Sequence, residues 1–156
     1  MIVIIGLPTV LGLLFGVSAV FVFVSVAVGE LLVRFLGDDS GLALGAFIKS
    51  QNTPTIAQLA LLILPAVFTF IFLKKSLAKS KALIHIVPFV GVGATLFLFA
   101  VPLTPSSLQA QILSNPVTGA VVKSQDLIIS ATGLLVLVTM WITYHHHAKH
   151  GHKHHK

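Results

Sequence analysis

Cysteine is absent from this chain, and only four of its 156 residues are acidic. The first absence excludes disulfides, thiolate metal sites and cysteine nucleophiles, and it removes any inference about redox compartment. The second leaves little for carboxylate acid–base catalysis or ion coupling. Glu30, Asp38, Asp39 and Asp126 are the only acids, and none lies deep in an apolar run. H-E-x-x-H, G-x-S-x-G and P-loop lysine motifs are also missing. No enzyme is expected. Charge of either sign is sparse: 9% of residues are charged, against about 25% in soluble domains. Hydrophobic residues make up 56%. Lipid is therefore the solvent this chain is built for.

What is present is a set of long apolar runs. A spanning helix takes roughly 20 mostly apolar residues. Four segments qualify, at about 9–36, 56–73, 82–103 and 127–144. The first belongs to a longer run from Ile2 to Leu36 that carries no charge before Glu30. As one helix that run would measure on the order of 50 Å. Gly6 and Pro8 are expected to set off a short interfacial piece before Thr9, a protruding or tilted single helix being the alternative. Two full crossings fit poorly, because no polar turn lies between Pro8 and Gly29. The N-terminus has no positive n-region, and its apolar run exceeds the roughly 7–15 residues of a signal core, so it is expected to stay on the mature protein.

The basic residues report topology rather than nucleic-acid binding. The connections 37–55, 74–81 and 104–126 carry one, four and one Lys or Arg, and the tail adds Lys149, Lys153 and Lys156. The positive-inside rule places the turn "KKSLAKSK" and the tail in the cytoplasm. Four crossings then place the N-terminus there too. The predicted fold is an all-α integral membrane protein, a bundle of four transmembrane helices with both termini cytoplasmic and a His/Lys-rich tail at 145–156. Pro65 and Pro88 are predicted to kink their helices. The connection after the third span has a weak apolar stripe, Leu108, Ile112 and Val117, broken at Pro116. It predicts a surface-lying helix or partial re-entry.

Few side chains can carry chemistry. The tail holds His145, His146, His147, His150, His152, His154 and His155. Neutral imidazoles bind Zn, Cu and Ni. If the fourth helix continues past Tyr144, His146 and His150 share a face, and Gly151 stops it before His154 joins them. Two other readings stand beside metal binding: a tail that becomes more cationic near pH 6.5 and presses onto anionic lipid, and a solvated tail that only fixes topology. His85 is expected inside the third helix, facing protein or water. Glu30 and Arg34 are spaced to pair on one helix, with Asp38 and Asp39 completing an acidic rim. Gly12 and Gly16 form G-x-x-x-G, and "GVGAT" places Gly91 and Gly93 in the third helix. Such small-residue faces let membrane helices approach closely, within one chain or between copies.

From Pro54 to about Ile128, the run "FIFLKKSLAKSK", the Gly-containing helix "VPFVGVGATLFLFAVPL" and the polar stretch with Ser124 resemble colicin V production protein-like membrane proteins. The resemblance covers under half the chain. That family's Gly-plus-basic turn near the N-terminus is absent, and the fourth segment and the tail depart from it. It implies a small polytopic inner-membrane protein without a known enzymatic site.

The residues themselves support a non-catalytic structural or accessory subunit, multi-pass in a cell membrane, which is expected to be a prokaryotic cytoplasmic membrane. Its partners would be the lipid bilayer and other subunits or copies of itself, with no nucleic acid. The alternative is divalent metal handling through the tail.

Overall fold

The computed structural model describes residues 2–45, 53–74 and 85–150, with the side chains of 2–4, 43–45 and 144–150 outside that description. Among the described residues it is all-helical: α1 Ile2–Phe15, α2 Ala19–Gly45, α3 Thr53–Phe72, α4 Ile86–Ala100, a 3-10 turn Val101–Leu103, α5 Ser106–Ser114, α6 Pro116–Lys123 and α7 Gln125–His150. Four stretches are long and apolar enough to cross a membrane: Ala19–Leu42, Thr53–Phe72, Ile86–Leu103 and Gln125–Thr143. The count of four spans agrees with the sequence; the first boundary does not.

The expected helix from Thr9 to Leu36 is two helices, broken at Gly16 to Ser18. Gly16 adopts φ 62°, the left-handed conformation that glycine enters without steric cost. The amide of Val17 donates to the carbonyl of Gly12 at 3.0 Å, the long bond of a Schellman C-cap. The Ser18 hydroxyl then accepts from the amide of Val20 at 3.4 Å, starting α2. Pro8, by contrast, lies inside α1. With 14 residues, α1 is about 21 Å long, too short for a hydrocarbon core of roughly 30 Å.

The contacts fix how the helices run. A Cβ built at Gly93 would overlap the carbonyl oxygen of Ile5, and one at Gly12 would overlap the Phe89 ring. So α1 is antiparallel to α4 and begins beside its middle. Gly29 meets the backbone of Leu62, and Gly41 meets Pro54, so α2 and α3 are antiparallel. Gly91 lies on Thr132, while Leu103 and Gln125 share one crevice, so α4 and α7 are antiparallel. The ends of α1, α3 and α7 and the starts of α2 and α4 therefore share one end of the bundle. There the Phe15 and Phe70 rings are 6.3 Å apart, and Lys74 Nζ sits 5.3 Å from the Phe15 ring centre.

The buried core is Val17, Ala19, Val22, Val26, Ala66, Phe89, Val92 and Val136. In lipid the hydrophobic effect does not drive helices together, so close van der Waals contact must. Glycine supplies it at Gly12, Gly29 and Gly93, where a neighbouring helix occupies the space of a side chain. These contacts lie within one chain.

At the other end, α5 and α6 cross the connection as two short helices split at Asn115. Its side-chain oxygen accepts from the amide of Val117 at 3.0 Å, capping α6, and Pro116 takes the first helical position, where its missing N–H is no loss. The Thr118 hydroxyl, buried, donates to the carbonyls of Ile112 and Asn115 and ties the two together.

Pro88 falls in the first turn of α4, because that helix starts at Ile86. In that turn the amide has no helical acceptor, so Pro88 forces no kink.

Candidate functional site

Polar side chains inside the spans are mostly turned back on their own helix. The hydroxyls of Ser25, Thr69, Thr95, Thr132 and Thr139 donate to the carbonyls of Val22, Pro65, Gly91, Ile128 and Leu135, at 2.7 to 3.0 Å. Each bond satisfies the hydroxyl locally, as in many membrane helices.

Among the described residues, one place brings charged groups of different helices together. A crevice of about 260 Å³ opens between α2, the end of α4 and the start of α7, at the end of the bundle opposite Lys74. Its walls are Val33, Leu98, Phe99, Pro102, Leu103 and Ile129, and its polar groups are Glu30, Arg34, Gln125 and Asp126. Glu30 and Arg34 lie one turn apart on α2, and the Nε of Arg34 donates to the Glu30 carboxylate at 2.9 Å. The Glu30 side chain is 18% exposed and that of Arg34 69%. The pair is therefore inward at its anion and outward at its cation. An exposed pair of this kind adds little stability in water, but a carboxylate against lipid needs its counter-ion.

The axial position follows from the helix lengths. α2 has 27 residues, or about 40 Å, and outruns a bilayer core of roughly 30 Å. Its surplus lies on the crevice side and carries Asp38 and Asp39, both exposed. The crevice thus sits where α4 ends, α7 begins and α2 continues.

The other sequence candidates lie elsewhere. His85 is the N-cap residue of α4 rather than a residue inside it, and it is 1% exposed, with its ring tilted against Phe89 at 6.5 Å. It is at the Lys74 end, far from the crevice. Gly91 and Gly93 lie in α4 contacts, Gly12 lies against Phe89, and Gly16 is the turn residue that separates α1 from α2. The backbone of α7 is helical through His150, so His145, His146, His147 and His150 continue the last helix. His152, His154 and His155 lie outside the described residues, as do Lys75 to Lys81. Among the described residues no group of three or more His, Cys, Asp or Glu is placed to hold a metal ion.

Sequence reasoning did not place Gln125 and Asp126 in one crevice with Glu30 and Arg34. They are far apart in the chain, and only the antiparallel placement of α2 and α7 joins them. Comparison with known proteins finds no matching family model, no matching curated protein and no matching solved structure.

Proposed function

We propose that this chain is a small, non-catalytic, multi-pass membrane subunit that packs against copies of itself or against the helices of a larger membrane complex. The observation that carries the reading is the outward face of α7. Leu134, Leu137, Val138 and Trp141 are 64%, 62%, 53% and 62% exposed, and their spacing puts them on one helical stripe. A partner helix can seat in such a stripe, with Trp141 fixing depth near the boundary. Most of the glycine contacts are used within the chain, so packing between chains would fall to exposed apolar faces such as this one. The self-contained hydroxyls described above also favour a packing role over a transport one. This reading accords with what the colicin V production protein resemblance implies and does not depend on it. Its setting would be a prokaryotic cytoplasmic membrane, with the Lys74 turn and the tail on the cytoplasmic side.

Native mass spectrometry of the chain purified in mild detergent tests it. A discrete oligomer, or a stoichiometric co-purifying membrane protein, is expected. The substitution Leu137→Asn on the exposed stripe should reduce that species while leaving the helical circular-dichroism signal intact. A strictly monomeric chain with no co-purifying protein overturns the reading.

One observation favours a second reading, metal handling. Helical backbone through His150 sets His146 and His150 four apart on one helix, a spacing at which two imidazoles can share an ion. Zn, Cu and Ni are the ions such nitrogen donors suit. Deleting Ala148 to Lys156 abolishes function under this reading and leaves assembly intact under the first.

A further inference from the structure

We propose that the crevice between α2, α4 and α7 binds a zwitterionic phospholipid whose headgroup carries a phosphate and a primary ammonium. The occupant follows from the arrangement of charge and from the level of the crevice. With the four long helices spanning the bilayer as proposed above, its rim falls at the membrane boundary, where α4 ends, α7 begins and α2 goes on into the exposed Asp38 and Asp39. Its walls are apolar side chains of three helices. On α7 Ile129 lies inward of Gln125 and Asp126, and on α2 Arg34 lies outward of Glu30, so a phospholipid would set its acyl chains on the inner apolar side and its headgroup at the outer polar edge.

The charges select the headgroup. Arg34 uses its Nε on Glu30. A guanidinium has five N–H donors in a fixed fork, so four remain on a side chain that is 69% exposed. That fork matches phosphate oxygens. Across the crevice stand the exposed carboxylate of Asp126 and the amide of Gln125. With Glu30 neutralised by Arg34, the uncompensated charge of the crevice is the Asp126 carboxylate. A headgroup with net negative charge would add to that uncompensated carboxylate, which is unfavourable. A zwitterion with a cationic arm meets Asp126 instead. A quaternary amine has no N–H to offer, whereas a primary ammonium has three donors, enough to reach the Asp126 carboxylate and the Gln125 carbonyl together. An ethanolamine phospholipid satisfies all these conditions.

The test uses the full chain, delipidated in detergent and titrated with ethanolamine, choline and glycerol phospholipids of identical acyl chains. Bound lipid is counted by native mass spectrometry. The wild type should retain the ethanolamine lipid preferentially over the other two. Arg34→Gln should lower that retention about tenfold, the scale of one lost charge-assisted contact. Asp126→Asn, at an exposed position where folding is not at stake, should erase the preference for ethanolamine over glycerol headgroups while binding persists. Water-soluble phosphoethanolamine in excess should fail to displace the lipid, because the apolar wall holds the acyl chains. Equal retention of the three lipids by the wild type overturns the proposal, as does an unchanged preference in Asp126→Asn. Displacement by phosphoethanolamine also overturns it, since the ligand would then be a soluble zwitterion. A monomeric chain that retains the ethanolamine lipid would reject the packing function and leave this site standing.

Discussion

A single methyl group decides whether two of these helices can meet. A Cβ at Gly29 would collide with the backbone carbonyl of Leu62, and one at Gly93 with that of Ile5. Backbone cannot swing aside as a side-chain tip can, so the helices must separate. Gly29→Ala and Gly93→Ala are each expected to cost about 1–3 kcal/mol, the range for overpacking a fitted interior. Gly6 is the internal control, because nothing lies within 4 Å of its added Cβ. Gly6→Ala should be neutral or stabilise by about 0.5–1 kcal/mol through helix propensity. Reversible unfolding in mixed micelles, followed by circular dichroism, reads the sign of each. A destabilised Gly6→Ala beside an unchanged Gly93→Ala would contradict the assigned contacts. Gly93 was visible in the sequence as part of "GVGAT", but its partner in α1 was not. Gly29 carried no spacing motif and was passed over, although its contact closes the α2–α3 pair.

At the scale of elements, the four spans were legible because apolar length is a direct demand of the bilayer. The split between α1 and α2 was not, and its cause is physical. A polar turn was expected wherever the chain reverses, since water-exposed reversals use one. Here the turn has Val17 at its centre, fully buried, and its backbone groups are satisfied by a glycine C-cap and a serine N-cap. Gly16 and Ser18 suffice, and both hide in an apolar run. At the other end of the chain the expectation was conditional, a shared face for His146 and His150 if α7 passes Tyr144; the backbone does continue to His150, while the expected stop at Gly151 lies outside the described residues. This gives a spectroscopic prediction. Trp141 is the chain's single tryptophan, about one turn before His145. Added Cu2+ should quench its fluorescence, and His146→Ala with His150→Ala should weaken quenching more than His145→Ala with His147→Ala, which removes two neighbours on the same turn. Imidazole binds metal only when neutral. Quenching should therefore weaken on acidification, as protons compete with the metal for the imidazoles. Equal effects of the two double variants would show that helical pairing plays no part in the tail's metal affinity.

The whole molecule makes one demand that the sequence and the helix contacts reach independently. Counting Lys and Arg puts the "KKSLAKSK" turn and the tail on the same side of the membrane. The antiparallel contacts of α3, α4 and α7 put Lys74 and the end of α7 at the same end of the bundle, without reference to charge. The absence of cysteine makes the shared prediction easy to check, because any introduced thiol is unique. Leu77→Cys and Lys149→Cys should react with a membrane-impermeant maleimide from one face of intact inverted vesicles. Asp38→Cys and Gln111→Cys, on the exposed surplus of α2 and on α5, should react only from the opposite face. The arrangement of α1 sharpens the test further. That helix starts beside the middle of α4 and ends near Lys74, so it enters the bundle without crossing it. The N-terminal side of α1 is then a matter of depth rather than of crossing number. A thiol at Leu7, which is 52% exposed within a half-length helix, should resist the maleimide from both faces, since it meets lipid and not water. Labelling of Leu77→Cys and Lys149→Cys from different faces would break the bundle topology. Labelling of Leu7→Cys from the face that reaches Asp38→Cys would mean that α1 completes a fifth crossing.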